Sequence, residues 1–285
     1  LVSFLFYNIY LKTKKILIKM HYLSIGAIFK NEGHILEEWL DHYIFHGVDH
    51  FYLINDFSTD NYLEIIDKYK DKITLFNNLK PEKTRGRQGE CYNHFFKPIL
   101  NETKFLGILD LDEFLYSPIE IDLKNILKNY ENYAQIVVNW VWFNSNGHKT
   151  QPKSVVKGFT KRAEYKTKIY SPSPYGWCMN GTLGPKTILN TSFTINDINI
   201  HGSTIDGESI NLSYIRDFNN PLLLINHYAL QSLEFFLKVK MTRGDADGWF
   251  LTEDRNLEYF QTWDVGDVYD DRLLIQNKEI LKKYI

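Results

Sequence analysis

The chain has 285 residues, 44% hydrophobic and 24% charged, with a net charge of −2. That length allows a sizeable core in one large α/β domain or two small ones, and the composition excludes disordered and fibrous classes. The near-neutral charge, without a long basic block, gives no support for nucleic-acid binding. The two cysteines, Cys91 and Cys178, are too few for a disulfide framework or a Cys-rich zinc site and fit a reducing compartment.

Residues 1–11 are apolar and aromatic and are followed by Lys12, Lys14 and Lys15. A bilayer span needs about 20 residues, so residues 1–19 are expected to be an extension outside the core fold that could touch a membrane surface. The expected address is cytoplasmic or membrane-associated, with a Golgi-type lumen not excluded.

From His21 to Phe29 the sequence reads as a buried strand. Ile35, Leu36, Trp39, Leu40, Tyr43 and Ile44 then form one helical stripe, and Gly47 sits where a helix-terminating glycine belongs. A second strand, 50–55, ends in Asn55 and Asp56. Ser58, Thr59 and Asp60 offer caps for a helix carrying Tyr62, Ile65 and Ile66, with Asp60 preferred. A third strand covers 73–76, and a helix follows Arg87 with Tyr92, Phe95 and Phe96 on its face. The fourth strand, 104–112, is apolar until its final carboxylates. This alternation predicts an α/β fold, a mostly parallel sheet flanked by helices. In such sheets ligands bind beyond the carboxyl ends of the strands. Those ends carry Lys30, Asn31 and Glu32; Asn55 and Asp56; Asp110, Asp112 and Glu113.

Further on, strands are predicted at 134–143, 186–190 and 222–228, and a helix at 232–243 between Ser232 and Gly244. The Pro- and Gly-rich loop 171–177 offers Tyr175 and Trp177 as acceptor platforms. The expected organisation is one domain, 20–285, with a nucleotide-binding half at 20–115 and an acceptor half at 116–285.

Asp110-Leu111-Asp112 is the central chemical signal. On an extended backbone the two carboxylates point the same way while Leu111 faces the core. Such a pair can hold a hard divalent ion against a nucleotide diphosphate and so offset charge on the leaving group. Asp56 can accept from a nucleobase N–H or a ribose hydroxyl. Arg85, Arg87 and Gln88 lie in a glycine-flanked turn before a helix, a candidate phosphate contact. His227, preferred over His201, could complete a metal shell. Lys238, Lys240 and Arg243 could clamp a diphosphate, and Asp245 and Asp247, with Gly248 and Trp249, could form a lid.

In order along the chain, Phe29-Lys30-Asn31-Glu32, Glu37-Glu38-Trp39, Asn55-Asp56-Phe57-Ser58-Thr59-Asp60, Gln88 with Tyr92-Asn93-His94-Phe95, Leu109 to Leu115, Asn226-His227-Tyr228, Ser232 to Phe236 and Lys240 to Gly244 resemble glycosyltransferase family 92. The resemblance covers about 21–245 and implies the two-part GT-A (Rossmann-like) fold shared with family 2 glycosyltransferases. It further implies inverting transfer from a UDP-sugar, often UDP-galactose, to a glycan or glycoprotein hydroxyl, with Mn²⁺ (or Mg²⁺). Asp110 and Asp112 would bind the metal, Asp56 the base, and His227 the metal or diphosphate, while Lys240 and Arg243 would approach the phosphates. Lys30, Glu32, Arg87 and Gln88 are the further donor-site candidates. Glu208, Asp206, Asp245 and Asp247 are the candidate general bases, with no choice among them from sequence. Nucleotidyl transfer, phosphohydrolysis or non-catalytic sugar binding are the competing readings.

Overall fold

The computed structural model describes residues 20–78, 84–163, 184–213, 221–246 and 255–284. Residues 1–19, Tyr175, Trp177, Cys178, Asp247, Gly248 and Trp249 lie outside them. Among the described residues no helix is long and apolar enough to cross a membrane.

The amino-terminal part alternates as its periodicity predicts: β1 (His21–Phe29), α1 (Gly33–Phe45), β2 (His50–Asn55), α2 (Tyr62–Lys68), β3 (Ile73–Asn77), α3 (Arg87–Phe96) and β4 (Thr103–Ile108). Strand β1 pairs in parallel with β2 and β4, and β2 with β3. Both faces of β1, β2 and β4 are largely buried. Leu23, Ile25, Ala27, Phe51 and Leu53 pack with Ile35, Leu36, Trp39 and Leu40 of α1 on one side. Ile28, Tyr52, Ile54, Leu106 and Ile108 pack with Tyr92 and Phe96 of α3 on the other. Gly26 is required by that second face, because a Cβ there would stand 2.6 Å from the Phe96 ring.

The remaining described chain adds five strands to the same sheet and forms two separate two-stranded sheets. After β5 (Glu113–Tyr116) come α4 (Leu123–Leu127), β6 (Gln135–Trp142), α5 (Val155–Gly158), β7 (Lys161–Arg162), β8 (Pro185–Asn190), β9 (Ile195–Asp197), β10 (Thr204–Ile205), β11 (Ser209–Asn211) and β12 (Leu224–His227). A helical segment, α6, then runs through Leu233–Phe235, a π-helical stretch Phe236–Lys240, and Met241–Arg243. It is followed by α7 (Leu257–Trp263), β13 (Val268–Tyr269) and α8 (Arg272–Gln276). The sheet order is β3-β2-β1-β4-β8-β6-β12-β5, with β11 added to β6. Only the β4–β8, β8–β6 and β12–β5 pairings in it are antiparallel. This is the mostly parallel, helix-flanked α/β sheet expected of the GT-A class. Its direction of travel brings the carboxyl ends of β1, β2, β4, β6 and β12, and the amino ends of β5 and β8, to one edge.

Two local expectations change. The fourth strand stops at Ile108 and not at Asp112; residues 109–112 form a turn closed by Glu113 N donating to Asp110 O at 3.1 Å. Asp60 does not cap its own helix. Asn61 holds the N-cap position of α2, and Asp60 Oδ2 instead accepts from Gly33 N, at the start of α1, at 2.7 Å. A carboxylate there also complements the positive end of the longer helix. The same two loops are tied by Asn31 N donating to Ser58 Oγ (3.0 Å) and Thr59 N donating to Asn31 Oδ1 (2.8 Å).

The far end of α1 is locked by a buried polar chain. His42 Nε2 lies 2.9 Å from Leu115 O, and its Nδ1 lies 2.9 Å from Asn277 Nδ2; Asn277 Oδ1 lies 2.9 Å from His46 Nε2. This arrangement needs a neutral His42 that donates from one nitrogen and accepts on the other. Burial, with His46 adding to it, holds its pKa well below the usual histidine value. The native state therefore binds fewer protons than the unfolded chain, so its stability is complete above the unfolded value of about 6.5 and falls as pH drops below it. Thermal midpoints measured from pH 7.5 to 5 should decline, and His42→Gln should flatten that slope.

Candidate active site

The turn after β4 places three carboxylates, Asp110, Asp112 and Glu113, at the sheet edge while Leu111 stays fully buried between them. Helix α1 braces this turn. Trp39 Nε1 donates to both Asp110 O and Glu113 O at 3.1 Å, and Tyr43 Oη donates to Glu113 O at 2.9 Å. The packed face that sequence periodicity assigns to α1 thus also fixes the backbone of the site.

Each carboxylate has a nitrogen partner. Lys186 Nζ, from β8, stands 2.7 Å from Asp110 Oδ2 and 3.3 Å from Glu113 Oε2. Lys240 Nζ, from the π-helical stretch of α6, donates to Asp112 Oδ2. His227 Nε2, at the end of β12, lies 3.5 Å from Asp112 Oδ1. Gln88 Nε2 donates to Asp110 Oδ1 at 3.2 Å. Glu113 is fully buried and its Oε2 also accepts from Asp110 N at 2.9 Å. The Asp110 side chain keeps 32% of its surface exposed against 6% for Asp112, so the site opens at Asp110.

Electrostatics separates the three acids. Burial alone would raise Asp110, but the Lys186 ammonium outweighs it and holds the carboxyl below its ordinary value. Burial opposes ionisation of Asp112 too, and Lys240 with His227 holds that group well below the usual range. Glu113 goes the other way, pushed up to about 7 by burial and the neighbouring Asp110 charge against the pull of Lys186. Lys186 itself is raised, the charges of Asp110 and Glu113 overcoming its burial.

The first strand ends contribute a second layer. Arg243 donates to Lys30 O and, at 2.8 Å, to Glu32 Oε1, joining the end of α6 to the β1–α1 turn. Asp56 and Arg87 form a buried ion pair, with Asn78 Nδ2 donating to Asp56 Oδ1 at 3.0 Å. Arg87 Nη1 also reaches Ala246 O at 3.3 Å, which brings the Gly244–Ala246 segment over this pair. Arg85 and Lys238 are exposed, and Lys238 pairs with Glu234 at 2.7 Å rather than turning inward. His201 Nδ1 lies 3.0 Å from Pro185 O, and burial beside Lys186 lowers its pKa to about 3.

The candidate bases separate by position. Glu208 O accepts from Ala134 N, next to the amino end of β6, whereas His227 pairs with Trp142 at the carboxyl end. The eight steps of about 3.3 Å from Ala134 to Trp142 put Glu208 roughly 25 Å from the carboxylate turn. Asp206 is exposed on the same side as Glu208, bonded to Asn196. Asp245 stays near the site: its charge and that of Asp112 both raise the Tyr259 hydroxyl, which burial raises first. Asp247 lies outside the described residues.

Lys186 escaped the sequence reading. The available signal was a lysine inside a short apolar strand, on the same face as the buried Ile188. Trp39 and Tyr43 were legible as core but not as braces.

Among the described residues no three His, Cys, Asp or Glu side chains converge on one point, so side chains alone do not make a metal cage. The donor set still suits a hard ion shared with a ligand. Asp110 and Asp112 offer carboxylate oxygens, an ammonium group marks a cation-accepting position on Asp112, and Mg²⁺-like ions commonly use one or two carboxylates with water and phosphate completing the shell.

An acidic pair ringed by cations, at the carboxyl edge of a mostly parallel sheet, defines the class as an α/β protein with a charged site at the edge where such sheets bind ligands. The model of glycosyltransferase family 92 matches residues 19–238, and the chain belongs to that family. A glycosyltransferase family 92 protein of Ricinus communis is 26% identical over 227 residues, covering 76% of this chain and 37% of its own length. One of Oryza sativa subsp. japonica is 24% identical over 221 residues, covering 76% and 35%. The chain thus spans little more than a third of the curated relatives it matches. Similar solved structures include S. aureus TarS 1–349, 20% identical with a TM-score of 0.36 over 60% of this chain and 47% of that one. Another is GalNAc-T7 with UDP, GalNAc and Mn²⁺, 13% identical with a TM-score of 0.39 over 93% and 58%.

Removing the Lys186 charge should be costly, because Glu113 and Asp110 would lose their counter-ion in a dry setting. Lys186→Met is expected to lose about 3–5 kcal/mol, read by denaturant unfolding, and the double variant with Glu113→Gln should recover part of it. A Lys186→Met protein as stable as the parent would remove Lys186 from this role.

Proposed function

We propose that this chain transfers a hexose, galactose favoured, from a UDP-sugar to a hydroxyl of a glycan or glycoprotein, with inversion and with Mn²⁺ or Mg²⁺ as the companion ion. The observation that carries the reading is the braced turn bearing Asp110 and Asp112, set among Lys186, Lys240 and Arg243 at the ligand-binding edge of the sheet. Membership of a family whose curated members are named glycosyltransferases supports the reaction class.

In this reading Asp110 and Asp112 would hold the ion, with His227 beside Asp112, and the bound ion would supply positive charge to the departing diphosphate. Lys240 and Arg243 approach the phosphates. Lys30, Glu32, Arg87 and Gln88 shape the donor pocket, and Asp56, positioned by Arg87 and Asn78, meets the uracil or ribose. The acceptor oxygen attacks the anomeric carbon as the sugar–phosphate C–O bond breaks, its electrons leaving on the diphosphate. The acceptor's proton passes to a general base. We assign that base to Asp245, which lies on the site's side of the sheet, with Asp247 as its neighbour in sequence. Residues 20–115 would serve the donor, joined there by His227, Lys240 and Arg243 from 116–285, and the rest of 116–285 the acceptor, within one domain, with residues 1–19 available for membrane association and a cytoplasmic or membrane-associated address.

Thermal unfolding with a panel of nucleotide sugars, each with and without Mn²⁺, tests the reading. A ligand at 100 times its dissociation constant should stabilise the fold by about 2.7 kcal/mol. The expected result is a Mn²⁺-dependent shift with one UDP-sugar that Asp112→Asn abolishes while remaining folded. An undiminished shift in Asp112→Asn would sink the site assignment, and release of a nucleoside monophosphate instead of UDP would sink the reaction class.

A further inference from the structure

Two ammonium groups touch the carboxylate pair, and they are held differently. Lys186 is 1% exposed and wedged between Asp110 and Glu113, so its departure would strand a fully buried Glu113. Lys240 is paired with Asp112 from a π-helical stretch, Phe236–Lys240. Such a stretch carries an extra residue within the helix and is often found at functional sites. Just beyond it the helix ends at Gly244, whose φ of 65° is in the left-handed region. Lys240 therefore sits close to a helix end that also carries Arg243, itself bonded across to Lys30 and Glu32.

An ammonium group and a divalent ion ask the same thing of a carboxylate oxygen. Lys240 Nζ donates to Asp112 Oδ2, and His227 Nε2 faces the other oxygen. A divalent ion bound at Asp112 Oδ2 would stand beside the Lys240 ammonium on the same oxygen, and the two positive charges would repel each other. Arrival of the ion alone would also add two charges beside Lys186 and displace a third, with no new anion to offset them. A diphosphate supplies that anion and gives the displaced ammonium group a partner.

We propose that Lys240 competes with the divalent cation for Asp112: ammonium and ion exchange on the same carboxylate oxygen, and the ion enters together with a diphosphate that receives Lys240. The proposal rests on the UDP-sugar reading above and adds an order of events to it. Ion and nucleotide are then reciprocally linked, each binding weakly alone and tightly together.

The test is calorimetric titration of Mn²⁺, with and without UDP, into the parent chain and the Lys240→Met and Lys240→Gln variants. In the parent, UDP should tighten Mn²⁺ binding by a factor on the order of ten or more. Lys240→Met should bind Mn²⁺ alone about tenfold more tightly than the parent, since it has no charged hydrogen bond to displace. The same variant should bind the Mn²⁺–UDP pair more weakly. Lys240→Gln keeps a hydrogen-bond donor without the charge, and should behave in the same direction if the methionine variant does not fold. Unchanged or weaker Mn²⁺ binding by both variants would overturn the proposal and leave Lys240 a structural partner of Asp112. Tight UDP binding by the parent that ignores a chelator would overturn it differently, making the two lysines permanent replacements for the ion. No UDP binding by the folded parent, with or without Mn²⁺, would remove the donor reading and this proposal with it.

Discussion

Three acids at consecutive or near-consecutive positions, 110, 112 and 113, must be kept charged or deliberately uncharged at the end of a dry strand. Bringing carboxylates together out of water is unfavourable unless cations and hydrogen-bond donors accompany them. Much of the fold answers that constraint. Strand β8 runs antiparallel between β4 and β6 and delivers Lys186 from its amino end; α6 crosses the same edge and delivers Lys240; β12 brings His227 opposite Glu113. Residues 73 to 128 positions apart in sequence are thus joined by charge at one point.

The backbone beneath the acids is held with equal care. The Trp39 indole spans the turn by donating to two carbonyls, and Tyr43 both donates to Glu113 O and accepts from Leu115 N. These are core residues by burial and site residues by function. Preorganisation of this kind keeps the carboxylates in place without help from ligand.

Much of the parallel half was written in local pattern. The continuous apolar run of β1 and the 3, 4 spacing of Ile35, Leu36, Trp39, Leu40 and Tyr43 translate directly into a buried strand and a buried helix face, because local geometry alone decides which side chains share a face. The acids at 110, 112 and 113 were legible for the same reason, as polar residues closing an apolar run. Their cationic partners were less so. Lys186 pairs with residues 73 and 76 positions away, a separation that no window of sequence reveals, and Asp60 serves α1 rather than its own helix for the same reason. The exact end of β4 was missed because Leu109 and Leu111 extend the apolar run through a turn, so hydrophobicity there reports burial and not extension.

The lacing of the two loops that follow β1 and β2 bears on any attempt to re-engineer the donor side. Asn31 takes partners from Ser58 and Thr59, and Gly33 donates to Asp60, so backbone donors of each loop depend on the other. A loop transplanted alone from a relative would arrive without its complement and leave donors on both sides unmatched. The pair is the smallest unit that can be exchanged, and variation at 31–33 should be accompanied by variation at 58–60 wherever this architecture diversifies.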